Sequence, residues 1–142
     1  MITIRPYRDA DEGTIVALWE GCGLIRPWNP SSADIALLRG SSHGDVLVAT
    51  QEEGDVIGSV MVGHDGHRGW IYYLAVSPSC RRRGLGSRLM RAAEAWLRER
   101  GIRKVELMIR NTNAAVTEFY ARLGYGEESV TVMSRWLDST ER

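Results

Sequence analysis

Two periodic patterns of apolar and polar residues divide the chain into predicted strands and helices. Alternating or continuous apolar residues, bounded by Gly, Pro, Asn and Asp, predict six strands, or seven if the last one is split in two. The predicted strands are Ile2–Ile4, Val46–Thr50, Val56–Gly63, Trp70–Val76, Lys104–Ile109 and one that holds Val130, Val132 and Trp136. A short turn with Gly54 joins the second strand to the third, which predicts an antiparallel hairpin.

Apolar residues at intervals of three and four predict four helices. The first has the stripe Ile15, Val16, Leu18 and Trp19 with Asp9 as its N-cap, the second covers Ser32–Arg39, the third runs from about Gly84 to Gly101, and the fourth from Asn111 to Gly124. Between the first two helices, segment 21–30 contains two prolines, which exclude a helix, so this segment is predicted to be a loop.

The order of these elements, β-α-α-β-β-β-α-β-α-β, predicts the fold class. Strand–helix–strand units after Trp70 predict parallel neighbours, whereas the earlier hairpins predict antiparallel ones. We therefore predict an α/β fold, with an α+β type of mixed sheet of six to seven strands and helices on both faces. The length of 142 residues predicts a single domain, residues 1–142. A binding crevice is expected where two neighbouring strands diverge.

Composition is that of an ordinary globular protein and argues against several functional classes. Apolar residues make up 44% and charged residues 25%, and the formal net charge is zero, so no global field favours nucleic acid or an anionic membrane. Cys22 and Cys80 have neither metal-type nor disulfide-type spacing, and the first residues lack the apolar core of a signal peptide. We predict a cytoplasmic protein with no metal and with no membrane or nucleic-acid partner.

The segment Arg81–Ser87, with the sequence RRRGLGS, joins a predicted buried strand to an amphipathic helix. Its glycines allow the backbone to approach an anion, the free N–H groups at a helix start favour a phosphate, and the arginines add charge. The alternative is that Gly84 and Gly86 only form a tight turn and that the arginines are only a solvated face. The segment has neither the GKS or GKT of a P-loop nor the GxGxxG of a dinucleotide site.

Two motifs of this chain resemble those of the GNAT family of N-acetyltransferases. Arg81-x-x-Gly84-x-Gly86, after the strand Tyr73–Val76, resembles the acetyl-coenzyme A signature of the family. The stretch Asn111-x-Asn113-Ala114, followed by Phe119-Tyr120-x-x-Leu123-Gly124-Tyr125, resembles its second motif. The order of predicted elements is similar to the GNAT fold over essentially the whole chain. The stretches LWEGCG, LIRPW and HDGHRG resemble those of the small bacterial YpeA-like acetyltransferases.

The resemblance implies acetyl-CoA as co-substrate. It would lie in a V-shaped split between the Trp70–Val76 and Lys104–Ile109 strands, the first of which carries a bulge in this family. The resemblance implies that the backbone of Leu74, Ala75 and Val76 pairs with the pantetheine arm of the cofactor. An amide N–H of this segment would also polarise the thioester carbonyl. Asn113 is implied to reach the pantetheine or diphosphate arm. The residues implied to cradle the pyrophosphate are Arg81, Arg82, Arg83, Gly84, Leu85, Gly86 and Ser87.

The implied reaction is direct attack of a primary amine on the thioester in a ternary complex. Tyr120 matches the general acid of the family, which protonates the departing CoA thiolate. The alternative is that Tyr120 only packs beside Phe119. Many family members have a glutamate base where this chain has Tyr72, so the base stays open. The candidates are Glu20, His64, Asp65, His67, Glu127 and a water relay oriented by Tyr72 or Tyr73.

The acceptor side is implied to include the loop Gly23–Asn29. The candidate lining residues are Arg26, Trp28, Tyr72 and Tyr73, and the alternative for Trp28 is that it fills the edge of the core. The acceptor is predicted to be a small-molecule or peptide amine. The protein is predicted to be a monomer or a homodimer.

Two other functions stay open on the sequence. One is a catalytically silent acyl-CoA-binding or regulatory domain of the same fold, against which the presence of Tyr120 speaks. The other is nucleic-acid binding through the nine basic residues between Arg81 and Lys104, which are accompanied only by Glu94 and Glu99. No aromatic stacking platform accompanies those charges, so we rank this function lowest.

Overall fold

Two compact units make up the chain in the computed structural model, which describes residues 1–52 and 54–138. The larger unit, Met1–Leu107, contains the sheet and three helices. The smaller unit, Met108–Arg142, contains one helix within its described residues. The strand and loop implied to bind the cofactor belong to the larger unit, and Tyr120 belongs to the smaller one.

A five-stranded mixed sheet forms the centre of the larger unit. Its strands are β1 (Thr3–Pro6), β2 (Gly44–Thr50), β3 (Val56–His64), β4 (Gly69–Val76) and β5 (Val105–Leu107). They lie in the order β1-β2-β3-β4-β5, and only the β4–β5 pair is parallel. The predicted mixed sheet is confirmed. Short turns join β2 to β3 and β3 to β4, which are antiparallel pairs, whereas the parallel strands β4 and β5 are joined through a helix.

Helices lie on both faces of this sheet, as predicted. They are α1 (Glu12–Gly21), α2 (Ser31–Arg39) and α3 (Leu85–Glu99), and the smaller unit contains α4 (Ala114–Arg122). On one face, Trp19 of α1 and Ile35 of α2 pack with Val48 and Met61 in one buried cluster. Among the described helices, none combines the length and the hydropathy that crossing a bilayer requires.

Two glycines determine how closely α3 approaches the other face of the sheet. A Cβ added at Gly69 would lie 2.5 Å from Leu97 Cδ1, and one added at Gly58 would lie 3.0 Å from Leu89 Cδ1. Because the strands carry no side chain at these two positions, the apolar stripe of α3 packs directly on their backbones. Leu89 and Leu97 are buried as a result.

The last predicted strand is absent, and the strand predicted at Lys104–Ile109 is shorter. Residues 126–138 form neither helix nor strand, and Val130, Val132 and Trp136 are exposed. Alternating apolar residues make a stable strand only where a neighbouring strand supplies hydrogen bonds, and none of the described strands pairs with this segment. The prediction of six to seven strands was therefore wrong, and the described sheet has five.

The start of α1 also differs from the prediction that Asp9 is its N-cap. Asp9 opens a 3₁₀ turn, and Asp11 at the end of that turn makes the polar contacts. The Asp11 carboxylate accepts two hydrogen bonds from the Arg5 guanidinium, at 2.8 and 3.0 Å, and one from the Arg8 backbone N–H at 2.8 Å. The Arg5 hydrogen bond is the main reason why the pKa of Asp11 is lowered. The carboxylate that holds this turn is therefore that of Asp11, two residues later than the predicted Asp9.

Candidate active site

Strand β4 contains a β-bulge formed by Tyr73 and Leu74. Between the pairs Ser59–Ala75 and Met61–Tyr72, β3 has one residue and β4 has two. Tyr73 has a φ of 51°, in the left-handed region, where a non-glycine residue costs about 1–3 kcal/mol. The bulge that the family resemblance implies is therefore present, and it removes these two residues from the regular ladder.

Contacts at both ends of Tyr73 hold this conformation. Its ring stacks on that of Trp19, with centroids 3.9 Å apart and planes inclined by 11°. Its hydroxyl donates to Asp34 Oδ2 at 2.7 Å and accepts from Asn29 Nδ2 at 3.2 Å. Its carbonyl oxygen accepts from Ser59 Oγ at 3.2 Å. Burial, followed by the Asp34 carboxylate, raises the pKa of Tyr73, so its phenol is a neutral hydrogen-bond donor and not a base.

Strands β4 and β5 separate after a short parallel contact. They pair only over Gly69–Ile71 and Val105–Leu107. Among the described residues, no strand continues this pairing along Tyr72–Val76. The predicted divergence of the two strands is thus confirmed, and it leaves a strand edge along Leu74–Val76 that an extended ligand can join.

The loop between β4 and α3 has the backbone shape of an anion site. Arg82 and Gly84 have φ values of 68° and 73°, both left-handed, and such turns direct successive N–H groups to one side. Gly84 directly precedes α3, and no side chain caps the first N–H groups of that helix. Arg82 and Arg83 are exposed at the rim, whereas Arg81 Nε donates to the Val76 carbonyl at 3.3 Å.

The last three implied loop residues can offer mainly their backbone to a ligand. Leu85 is buried, so its side chain belongs to the core, and Gly86 and Ser87 are half-buried in the first turn of α3. The seven implied pyrophosphate-binding residues therefore form one loop and the first turn of α3, and three of the seven are exposed arginines.

The residues implied on the acceptor side have different surroundings. Trp28 and Tyr72 are 41% and 45% exposed, so neither is a core side chain. The Arg26 guanidinium donates to the Gly23 and Ile25 carbonyls, at 2.9 and 3.1 Å, and thereby stabilises its own loop. Partial burial raises the pKa of Tyr72, so its phenol stays protonated at neutral pH and is not available as a base. Tyr73, the fourth implied residue, connects the acceptor loop to the bulge, because Asn29 of that loop donates a hydrogen bond to its hydroxyl.

Three candidate bases lie at the opposite end of β4 from the bulge. His64 ends β3, and Asp65 and His67 lie in the turn before β4. At about 3.3 Å per residue, the strand from Gly69 to the first bulge residue, Tyr73, spans about 13 Å, which is too far for direct proton transfer. The N–H groups of Arg68 and His67 and the Trp70 indole lower the pKa of Asp65 to about 2, which makes it a weak base. Glu20 and Glu127 are exposed and stay candidates.

In the smaller unit, Asn113 caps the helix that carries the buried Tyr120. Asn113 Oδ1 accepts the Val116 backbone N–H at 3.3 Å, which leaves its amide NH₂ group for a ligand. The Tyr120 ring packs edge-on against Phe119 and Tyr125, with centroids 5.0 and 5.7 Å away. Burial raises the pKa of Tyr120 to about 12, so its phenol keeps its proton at neutral pH, as a general acid must.

The raised pKa of Tyr120 predicts that its phenol ionises at a higher pH than an ordinary tyrosine in an alkaline titration. We expect one tyrosinate component of the near-ultraviolet absorbance to appear near pH 12 and to be missing in Tyr120→Phe. An unfolded phenol ionises near pH 10, so the unfolded state loses this proton first and the free energy of unfolding should fall between about pH 10 and 12. A Tyr120 component near pH 10 in the difference titration would contradict the burial of this phenol.

The sequence did not single out three residues that contact the bulge. Trp19 Nε1 donates to Ser59 Oγ at 2.7 Å, and both side chains are fully buried. In the sequence, Trp19 is predicted only to belong to the apolar stripe of a helix. Ser59 stands out only as a polar residue inside an otherwise apolar strand. Asp34 had no signal, because its partner Tyr73 is 39 positions away in the chain.

Comparison with known proteins identifies the family. Residues 7–125 match the family model described as the acetyltransferase (GNAT) family. The chain belongs to the GNAT family. A curated acetyltransferase of Pectobacterium atrosepticum is 39% identical to this GNAT chain over 140 residues, which are 97% of the chain and 98% of the relative. An acetyltransferase of Sodalis glossinidius is 40% identical over 136 residues, 94% of each protein.

Solved structures show the same GNAT fold. The aminoglycoside N-acetyltransferase AAC(6')-Iy, in complex with CoA, superposes with a TM-score of 0.78 and 20% sequence identity, and the match covers 97% of this chain and 96% of that one. At this identity the likeness establishes the fold. Family membership and the two curated relatives make this protein an acyltransferase enzyme, as the motifs predicted.

Proposed function

We propose that this GNAT enzyme transfers the acetyl group of acetyl-CoA to a primary amine. The observation that carries the proposal is the continuous path from the bulged, open edge of β4 into the left-handed loop at the start of α3. An extended arm can add to the strand edge while a pyrophosphate lies at the helix start. Coenzyme A has these two parts in that order, and a protein of the same fold binds it.

In this proposal each part of the site has one task toward the cofactor. The backbone of Leu74–Val76 binds the pantetheine arm, and the N–H groups of Arg81–Ser87 bind the pyrophosphate. The exposed guanidinium groups of Arg82 and Arg83 add charge to this contact. Asn113 offers its amide NH₂ group, since its oxygen is used in capping α4.

The proposed reaction is a direct transfer in a ternary complex. The neutral amine nitrogen attacks the thioester carbon, so a C–N bond forms and the C–S bond breaks. A backbone N–H beside the bulge stabilises the negative charge that develops on the thioester oxygen. The CoA thiolate takes the proton of Tyr120, and the amine proton leaves to water. Tyr120 then regains a proton from solvent, because its pKa of about 12 lies far above neutral pH.

The acceptor we propose is a small-molecule or peptide amine of modest basicity. No carboxylate lies between Trp70 and Val76 to remove its proton. An α-amino group, with a pKa near 8, is more often neutral at physiological pH than a lysine, with a pKa near 10.4. The exposed rings of Trp28 and Tyr72 and the loop that contains Arg26 supply the surface against which such an amine would lie.

An acceptor panel tests the proposed function. The panel contains amino acids, peptides with free α-amino groups, lysine peptides, polyamines and aminoglycosides, and the readout is CoA release. We expect release above the rate of thioester hydrolysis with at least one amine, and its loss in Tyr120→Phe. Acetyl-CoA binding without turnover on any amine of the panel would instead favour a catalytically silent acyl-CoA-binding domain.

A further inference from the structure

We propose that Ser59 and Trp19 are positioning residues that set the direction of the peptide group between Tyr73 and Leu74. The inference rests on the proposed acetyl transfer, since that peptide carries an N–H group of the acetyl-CoA site. Trp19 Nε1 donates to Ser59 Oγ at 2.7 Å, and Ser59 Oγ donates to the Tyr73 carbonyl oxygen at 3.2 Å. One hydrogen-bond chain thus runs from α1 through β3 to the bulge of β4.

The direction of this chain follows from its chemistry. An indole N–H can only donate, and a carbonyl oxygen can only accept. The Ser59 hydroxyl must therefore accept from Trp19 and donate to Tyr73. Ser59 and Trp19 both have 0% exposure, so breaking either bond leaves a polar group buried without that partner. The Tyr73 carbonyl is consequently held toward Ser59.

Peptide geometry transmits this direction to the next N–H group. In a planar trans peptide, the C=O and N–H bonds point in opposite directions. The described chain has no cis peptide, so a Tyr73 carbonyl that points to Ser59 turns the Leu74 N–H away from Ser59. Leu74 lies beyond the β4–β5 pairing, on the strand segment proposed to meet the thioester. Ser59 therefore sets the direction of the Leu74 N–H group without contacting it.

The bulge needs this restraint because its backbone is strained. Tyr73 lies at a φ of 51°, which non-glycine residues rarely adopt, and its backbone would move toward ordinary strand geometry if its carbonyl lost the serine. That movement would rotate the Leu74 N–H. Rotation of the Leu74 N–H should weaken stabilisation of the transition state more than it weakens cofactor binding. The reason is that charge develops on the thioester oxygen only during the reaction.

Ser59→Ala tests the proposal, because it removes the hydroxyl link and little volume. We expect kcat for acetyl transfer to fall about tenfold or more, with a much smaller change in KM for acetyl-CoA. Ser59→Thr, which keeps a hydroxyl, should restore most of kcat. Val48→Ala is the matched control, since Val48 is fully buried in the same cluster as Trp19 and has no polar group; it should lower Tm and leave kcat unchanged.

A second variant tests whether the two residues act through one link. Trp19→Phe keeps an aromatic ring but removes the indole N–H, so kcat should fall as in Ser59→Ala, and the double variant should lose little more. Fully additive losses, or a kcat of Ser59→Ala equal to that of Val48→Ala, would overturn the proposal. If Ser59→Ala does not fold, Trp19→Phe and Ser59→Thr carry the same test.

A measurement without turnover separates this inference from the proposed function. In ¹H–¹⁵N spectra of the ligand-free protein, Ser59→Ala should shift the Leu74 amide signal and accelerate exchange of the Trp19 indole N–H, whereas Val48→Ala should leave the Leu74 signal in place. If the wild-type protein acetylates no amine but these changes occur, the proposed function fails and the positioning of the N–H stands. If the Leu74 signal does not move, the inference fails whatever the activity.

Discussion

Gly84→Val is expected to weaken acetyl-CoA binding at least about 100-fold in calorimetry. Gly84 has a φ of 73°, and a Cβ there would meet no protein atom within 4 Å, so the added side chain would project into open space beside the loop. A valine in the left-handed region costs about 1–2 kcal/mol and would turn the N–H groups that we propose bind the pyrophosphate. Losing one or two charge-assisted hydrogen bonds, at about 1.5–3 kcal/mol each, accounts for a change of this size.

Gly101→Val is the matched control for this experiment. Gly101 lies just beyond the other end of α3, has a φ of 78° and also has open space at its Cβ position. The substitution therefore carries the same backbone strain without touching the loop, and acetyl-CoA affinity should persist. Wild-type affinity in Gly84→Val would refute the pyrophosphate site assigned to the loop. If both variants lose the same acetyl-CoA affinity, the effect comes from a change in the stability of α3 and not from the loop.

Tyr120→Phe is expected to lower kcat about 10²–10⁴-fold while the Kd of acetyl-CoA stays largely unchanged. The substitution removes the phenol that we propose as the proton donor, whose pKa of about 12 keeps it protonated at neutral pH, and it retains the ring that packs against Phe119 and Tyr125. Stopped-flow measurement of CoA release with a saturating acceptor gives kcat, and calorimetry gives the Kd.

Tyr125→Phe provides the comparison for Tyr120→Phe. Its ring lies 5.7 Å from that of Tyr120, so the two variants each remove one phenol from the same aromatic cluster. We expect Tyr125→Phe to keep most of kcat. Turnover of Tyr120→Phe that matches Tyr125→Phe across the pH range would mean that Tyr120 only packs, and another group would then have to protonate the thiolate.

The parts of the site that depend on local chemistry could be predicted from the sequence. The glycine pattern after β4 specifies a left-handed turn at Gly84 and the helix that follows, because both depend on neighbouring residues. The hairpins and the packed stripe of α3 follow from periodicity for the same reason. The order of elements predicts a crevice where two strands diverge, whereas the family resemblance identifies β4 and β5 as those strands.

Features that depend on distant partners could not be predicted in this way. The link from Trp19 to Ser59 joins positions 40 apart, and that from Asp34 to Tyr73 joins positions 39 apart. Neither Trp19 nor Asp34 differs locally from an ordinary helix residue. The segment with Val130 and Val132 shows the converse error, because its alternation predicts a strand although the described structure offers it no pairing partner.

The two glycines beneath α3 have a consequence for engineering this enzyme. The helix is 15 residues long, about 22 Å, and it contacts the sheet near both ends, at Gly58 and at Gly69. A side chain at Gly69 would collide with Leu97, and where the helix shifts instead of the leucine side chain, the opposite end of α3, beside Gly84, moves with it. We therefore expect a methyl group at Gly69, one helix length away, to change the position of the loop that we propose binds the cofactor.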